Sequence, residues 1–247
     1  TIIGNETGAS RVINTKNQYP LTIGKLIGNT RYFKGAIDEI KIYNTAHSLE
    51  DIKNEYQGLV AYYPFNGNAN DESGNNHHGT VYGASLTQDR NGNTDNAYSF
   101  DGINNYIDLG DWENGGEMSF TFWARWDTTN NWSRIIDIGN GTRNEDIMIS
   151  NYYNENNIAF YVNQGPTQNF KMLYTTSSPI TLGQWGFYSA TVNNDGLMRI
   201  YKNGVLINEL VTGYTPNKLI RTEQYLGRSL YPGDKYFKGA IDELRIY

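Results

Sequence analysis

The sequence predicts an all-β protein: two antiparallel sheets packed as a sandwich, preceded by the C-terminal strands of a second domain of the same kind. Three observations predict it. A thirteen-residue stretch occurs twice, at 31–43 and 235–247, identical at ten positions and conservatively exchanged at three, 204 residues apart. Such self-similarity marks repeated structural units. Short runs of alternating apolar and polar residues recur between Asn- and Gly-rich turns, the pattern of half-buried strands. The composition, with 26 Gly, 6 Pro and 20 Tyr in 247 residues, suits many short strands joined by tight turns.

Residues 1–47 read as the closing strands of a preceding domain, around Arg11–Ile13, Leu21–Gly24 and Ala36–Tyr43. Residues 48–57 read as a connector. Ser48 with Asp51 resembles a capping box, and Leu49, Ile52 and Tyr56 fall near helical spacing, so a short helix is expected over 49–56. Gly58 ends it. Residues 58–247 then form a complete domain. Its first strand is 59–65, and Pro64 puts its end at an edge or bulge. An Asn- and Asp-rich loop follows. Strands are expected at Thr80–Tyr82, Ala97–Phe100, Tyr106–Asp108, Ser119–Trp126, Ser133–Ile138, Ile147–Ser150 and Ile158–Val162. Further on they are expected at Gly186–Val192, Leu197–Lys202, Gln224–Gly227 and 239–247. Asn203-Gly204 signals a two-residue primed hairpin turn.

Alternation in the last strand puts Ala240, Asp242, Leu244 and Ile246 on one face, with Glu243 and Arg245 on the other. Asp242 is therefore expected to point inward, as is Asp38 in the first copy. A buried carboxylate needs hydrogen bonds, a counter-charge or a metal, so backbone N–H groups of a nearby turn and a calcium ion are the two readings.

The net charge of −6 is spread along the chain without a basic run, which argues against nucleic acid or an anionic membrane as partner. No apolar stretch approaches the ~18 residues of a membrane span. Cysteine is absent, so disulfides and thiolate metal sites are excluded.

Five stretches together point to a family. They are Leu59 to Gly74, Ala97 to Gly102, Ser119–Trp126, Met198 to Gly204 and Gly239 to Tyr247. In this order they resemble a laminin-G-like jelly-roll domain of the concanavalin A-like lectin/glucanase superfamily. The resemblance implies one concave sheet, first and last strands side by side, and often a bound calcium. With those strands adjacent, Asn66, Asn68 and Asp71 would approach Asp242 and supply the oxygens calcium requires. Asp95 and Asp101 are spare candidates. The competing reading is a loop held by its own Asx turns. His77 and His78 are adjacent, have no third His nearby and do not suggest a metal site.

Glucanases of the superfamily carry paired carboxylates in a Glu-x-Asp pattern, and no Glu-x-Asp occurs here; nor is a Ser–His nucleophile visible. No enzyme activity is expected. Aromatic rings could form a sugar platform. In Ser119–Trp126, Phe120, Phe122, Ala124 and Trp126 share the core face, leaving Trp123 and Arg125 on the other; loops add Trp132, Tyr152 and Tyr153. The expected protein is a non-catalytic, extracellular or cell-surface module from a tandem array, stabilised by calcium. Its expected partner is a glycan, a cell-surface protein or another copy of itself. A structural repeat of a surface filament and an accessory domain of a secreted glycosidase or toxin are the alternatives. For the filament, Asp38, Ile40 and Ile42 would pack on another copy or on upstream sequence.

Overall fold

The computed structural model describes residues 58–166 and 169–247, together with Ile23 and Tyr32–Lys34. The chain divides into two compact units, Thr1–Ser48 and Leu49–Tyr247, and the second is the one described below. The expected strands of 1–43, with Asp38, Ile40 and Ile42, and the expected helix at 49–56 lie outside the described residues.

Among the described residues there are seventeen strands and no helix. They begin with β1 (Ala61–Tyr63), β2 (Thr80–Tyr82), β3 (Ser85–Thr87), β4 (Ala97–Asp101), β5 (Tyr106–Asp108) and β6 (Trp112–Asn114). Next come β7 (Met118–Trp126), β8 (Arg134–Gly139), β9 (Ile147–Asn151), β10 (Ile158–Asn163), β11 (Phe170–Tyr174) and β12 (Trp185–Val192). The last are β13 (Met198–Lys202), β14 (Val205–Leu210), β15 (Leu219–Arg221), β16 (Glu223–Leu226) and β17 (Lys238–Ile246). An eight-stranded sheet runs β14-β13-β12-β7-β17-β4-β3, with β1 also on β17. A seven-stranded sheet runs β11-β10-β9-β8-β16-β5-β2, and β15 and β6 form a small ribbon. All strand pairs are antiparallel, as the alternating sequence predicts.

The core lies between the two large sheets. From β7 it takes Phe120, Phe122, Ala124 and Trp126, the face the sequence assigned to it, and from the opposite sheet Ile136, Ile138, Ile147, Ile149, Phe160 and Val162. The first and last strands do lie side by side, with Tyr63 opposite Leu244 and Ala61 opposite Ile246. The Asn203-Gly204 turn is of the primed kind, with φ of 50° and 78°, and joins β13 to β14.

The phase of the last strand differs from expectation. Glu243 adopts φ 47°, and the β17–β7 register shifts between Asp242 and Arg245. This β-bulge inserts one extra residue and reverses the alternation beyond it. Ile241, Leu244 and Ile246 therefore all enter the core. Asp242 instead lies opposite Trp123 on the outer face.

Candidate functional site

The outer face of the seven-stranded sheet carries the strongest site. β8, β9 and β10 are buried on both faces. One face meets the core. The other is partly covered by the 228–237 loop, and what it buries there is polar. Arg134, only 2% exposed, donates from Nε to Asp137 Oδ2 at 3.1 Å, from Nη2 to Asp234 Oδ2 at 2.7 Å, and from Nη1 to the Trp132 carbonyl at 2.6 Å. Ser229 Oγ donates to Asp234, and the Leu230 N–H to Asp137. Tyr231 donates its hydroxyl proton to Asp146 Oδ2 at 2.7 Å. The loop is thereby fastened to the sheet by charge-assisted hydrogen bonds, each stronger than a neutral one.

Burial pushes Asp137 up to about 7, although the Arg134 charge and the Leu230 N–H pull the other way. Burial likewise raises Asp146 and Asp234, and it raises Tyr231 with help from its bond to Asp146.

Beside this network opens a pocket of about 370 Å³. Its walls are Trp132, Tyr153, Tyr161, Phe170 and Tyr231, with Met148 and Met172 on the floor and Arg134, Arg143 and Asp234 as the charged groups. Tyr161 stacks on Phe170 at 4.8 Å between centroids. Trp132 meets Tyr153 at 4.7 Å and Tyr152 at 5.2 Å, and Tyr152 stacks face to face on Tyr174 at 4.3 Å. Trp132 and Tyr153 both hold left-handed backbone, φ 52° and 49°, which costs a side-chain-bearing residue energy unless neighbours enforce it. Buried Asn151 is the enforcer: its Nδ2 donates to the carbonyls of Asn130 and Tyr153, and Ser133 Oγ donates to its Oδ1. Flat apolar rings beside a few fixed charged groups suit a ligand with both an apolar face and many hydroxyls.

Of the residues the sequence singled out, Trp132 and Tyr153 line this pocket. Tyr152 buttresses them through its ring contacts. Trp123 and Arg125 lie on the outer face of the other sheet. There the Arg90 guanidinium covers Trp123 at 4.7 Å, with Phe187 5.4 Å away, while Arg125 bonds Asp127 and sits over Trp185. Alternation could not show Tyr161, Arg134 or Asp234. Strands buried on both faces do not alternate, and the covering loop is a tertiary feature. The available signal was charge inside an apolar run: Arg134 and Asp137, set among Ile135, Ile136 and Ile138, need partners.

The residues proposed for calcium are not gathered. The chain turns at Phe65 (φ 58°), and Gly67 donates to the Asp95 carbonyl. Asp71 turns back to accept N–H groups of Tyr62, Ser73 and His77 and the Ser73 hydroxyl. Burial alone would raise its pKa, but these bonds hold it below the usual carboxylate value. Asn68 caps Asn70, and Asn66 is exposed. Asp242 is ion-paired with Arg90 at 2.5 Å and is 2% exposed. Burial raises it to about 6, against the pull of Arg90. Of the spares, Asp101 caps its own turn and Asp95 is exposed. These carboxylates share no open centre, so the arrangement does not fit the oxygen cage that calcium needs. A calcium ion would require other residues. Among the described residues no group of three or more His, Cys, Asp or Glu is placed to hold a metal.

Comparison with known proteins agrees with the architecture. The sequence profile of the concanavalin A-like lectin/glucanases superfamily matches residues 3–53 and 100–247. The chain belongs to this superfamily. Domain 4 of AbnA, a GH43 extracellular arabinanase from Geobacillus stearothermophilus solved with arabinotriose, is similar in structure. Its TM-score is 0.61 at 22% identity, over 76% of this chain and 91% of that one. The binding domain of botulinum neurotoxin DC in complex with SialylT gives 0.59 at 16% identity, over 78% of this chain and 48% of that one. An alpha-L-arabinofuranosidase of Bifidobacterium longum subsp. longum is 32% identical over 63 residues, 26% of this chain. The matched stretch spans 6% of that curated relative's length.

Proposed function

We propose that residues 58–247 are a non-catalytic carbohydrate-binding module that seats a sugar chain between Trp132, Tyr153, Tyr161 and Tyr231, as the accessory domain of a secreted glycoside hydrolase. The pocket itself carries this reading: aromatic walls for the flat faces of sugar rings, with Arg134 and Asp234 held in place at its edge and Arg143 beside them. Arabinose oligosaccharides are the first ligands to try. A domain of the same fold was solved with arabinotriose, and the curated relative is an arabinofuranosidase. An extracellular location is part of this reading, and the likeness to a domain of an extracellular arabinanase supports it.

The absence of catalysis is supported by the state of the pocket's carboxyls. Glycoside hydrolysis needs one carboxyl that can protonate the glycosidic oxygen and a second that attacks or activates water. Asp137 and Asp146 are fully covered, and Asp234 is held by Arg134 and Ser229.

Calorimetric titration with arabinotriose tests the reading. Trp132→Ala and Tyr161→Ala should each weaken binding about tenfold, the loss of ~1.4 kcal/mol expected for one ring contact. Trp123→Ala should leave affinity unchanged. Full binding in both pocket variants, or loss in Trp123→Ala, would overturn it.

A further inference from the structure

The outer face of the seven-stranded sheet continues beyond the 228–237 loop. Met172, Tyr161, Met148, Asp137 and Tyr225 are successive cross-strand partners, so their side chains share that face. Asp108 is opposite Tyr225 on the next strand. Tyr106, two residues earlier, therefore points the same way, with Tyr82 as its partner. Tyr82 and Tyr106 stack at 4.5 Å, 8° from parallel, and Tyr106 meets Tyr225 edge-on at 5.6 Å. Tyr82 is 45% exposed.

Arg228 completes the group. Gly227 ends β16 with φ 82°, and a Cβ there would lie 2.5 Å from the Phe100 ring. Glycine is thus required where the chain swings outward, and Arg228 is thrown across the tyrosines. Its guanidinium sits 4.5 Å from the Tyr225 centroid and 4.9 Å from that of Tyr106. Arg90, Arg134 and Arg221 each face a carboxylate. Among the described residues Arg228 faces none and donates no hydrogen bond. The nearby Asp108 carboxylate accepts the Gly110 N–H at 2.9 Å.

We propose that Tyr82, Tyr106, Tyr225 and Arg228 form a second glycan contact, specific for a carboxylate-bearing sugar such as a uronate. The Tyr106 and Tyr225 rings, edge-on to each other, hold the guanidinium by cation–π contact, and its N–H fork matches a carboxylate bidentately. The exposed face of Tyr82 takes the sugar ring. A neutral sugar would use only the rings, and a guanidinium in ion-pair contact with no carboxylate among the described residues selects an acidic one. Four strand spacings of ~4.8 Å separate β10 from β5, so the contact lies about 19 Å from Tyr161 and is separable from the pocket by mutation.

The probe is trigalacturonic acid, followed in the full chain by the NMR signal of the Arg228 Nε–H, with its methyl ester as neutral control. Saturable movement of that signal is expected with the acid and not with the ester. Arg228→Gln should weaken trigalacturonate binding at least tenfold, Tyr82→Ala severalfold, and added salt should weaken it progressively. Trp132→Ala should leave it intact, and Arg228→Gln should leave arabinotriose titrations unchanged. Failure of arabinotriose to bind would sink the pocket reading while a trigalacturonate response kept this one standing. An unmoved Arg228 signal, or wild-type trigalacturonate affinity in Arg228→Gln, would overturn it.

Discussion

Buried carboxylates set the acid–base behaviour of this domain, and they divide into two groups of opposite sign. Asp137, Asp146, Asp234 and Asp242 are raised on folding, chiefly by burial. Between their unfolded value near 4 and folded values of about 7 for Asp137 and 6 for Asp242, the folded state binds more protons. Stability therefore falls as pH rises through that window. Asp71 is lowered, so its contribution is present above pH 4 and disappears as pH drops through its folded value. The domain is expected to be more stable in urea at pH 5 than at pH 8, and Asp137→Asn should flatten that difference. Asp71→Ala should cost about 2–3 kcal/mol, because three N–H groups lose their acceptor. That loss should be the same with and without chelator; a chelator-dependent loss would mean that Asp71 does hold a metal.

Among the elements, β17 shows what alternation can and cannot reveal. Its core residues Leu244 and Ile246 were legible because the pattern beyond Glu243 is regular. The side of Asp242 was not, because a bulge is one residue in left-handed backbone and leaves no mark in apolar periodicity. Short or exposed strands escaped for a related reason. β3, β6 and β15 have three residues each, and β11 and β14 are sheet edges whose side chains are largely exposed. Three results would check the bulge. Leu244→Ala should cost about 2–5 kcal/mol, and Arg245→Ala, over the Tyr62 ring, under about 1 kcal/mol. Glu243→Val should be about 1–2 kcal/mol worse than Glu243→Gly, since a β-branched side chain resists φ near 47°. Equal values for the two Glu243 variants would mean the bulge relaxes away.

At the level of the whole molecule, the sandwich and the pairing of first and last strands could be read from the repeated stretch and from the family resemblance. The pocket was legible only in part. Trp132 and Tyr153 stand out as loop aromatics, whereas Tyr231 and Asp234 matter because a distant loop folds over β8. β17 is central: β7 runs along one side, and β4 and β1 share the other. Removing residues 238–247 should abolish the cooperative thermal transition altogether, and a surviving two-state melt would show that the sheet can close without them.

That placement has a consequence in time. β17 is the last of the described strands in sequence yet stands inside its sheet, so that sheet cannot close until residues 238–246 have been made. At ~5–20 residues per second, synthesis of this domain takes roughly 10–40 s. From the time each is made until then, the edges of β7 and β4 that β17 covers have no partner. The same open interval exposes the β7 edge to any other segment whose sequence matches β17. With Gly35–Tyr43 nearly identical to Gly239–Tyr247, the earlier copy is a ready competitor for that gap.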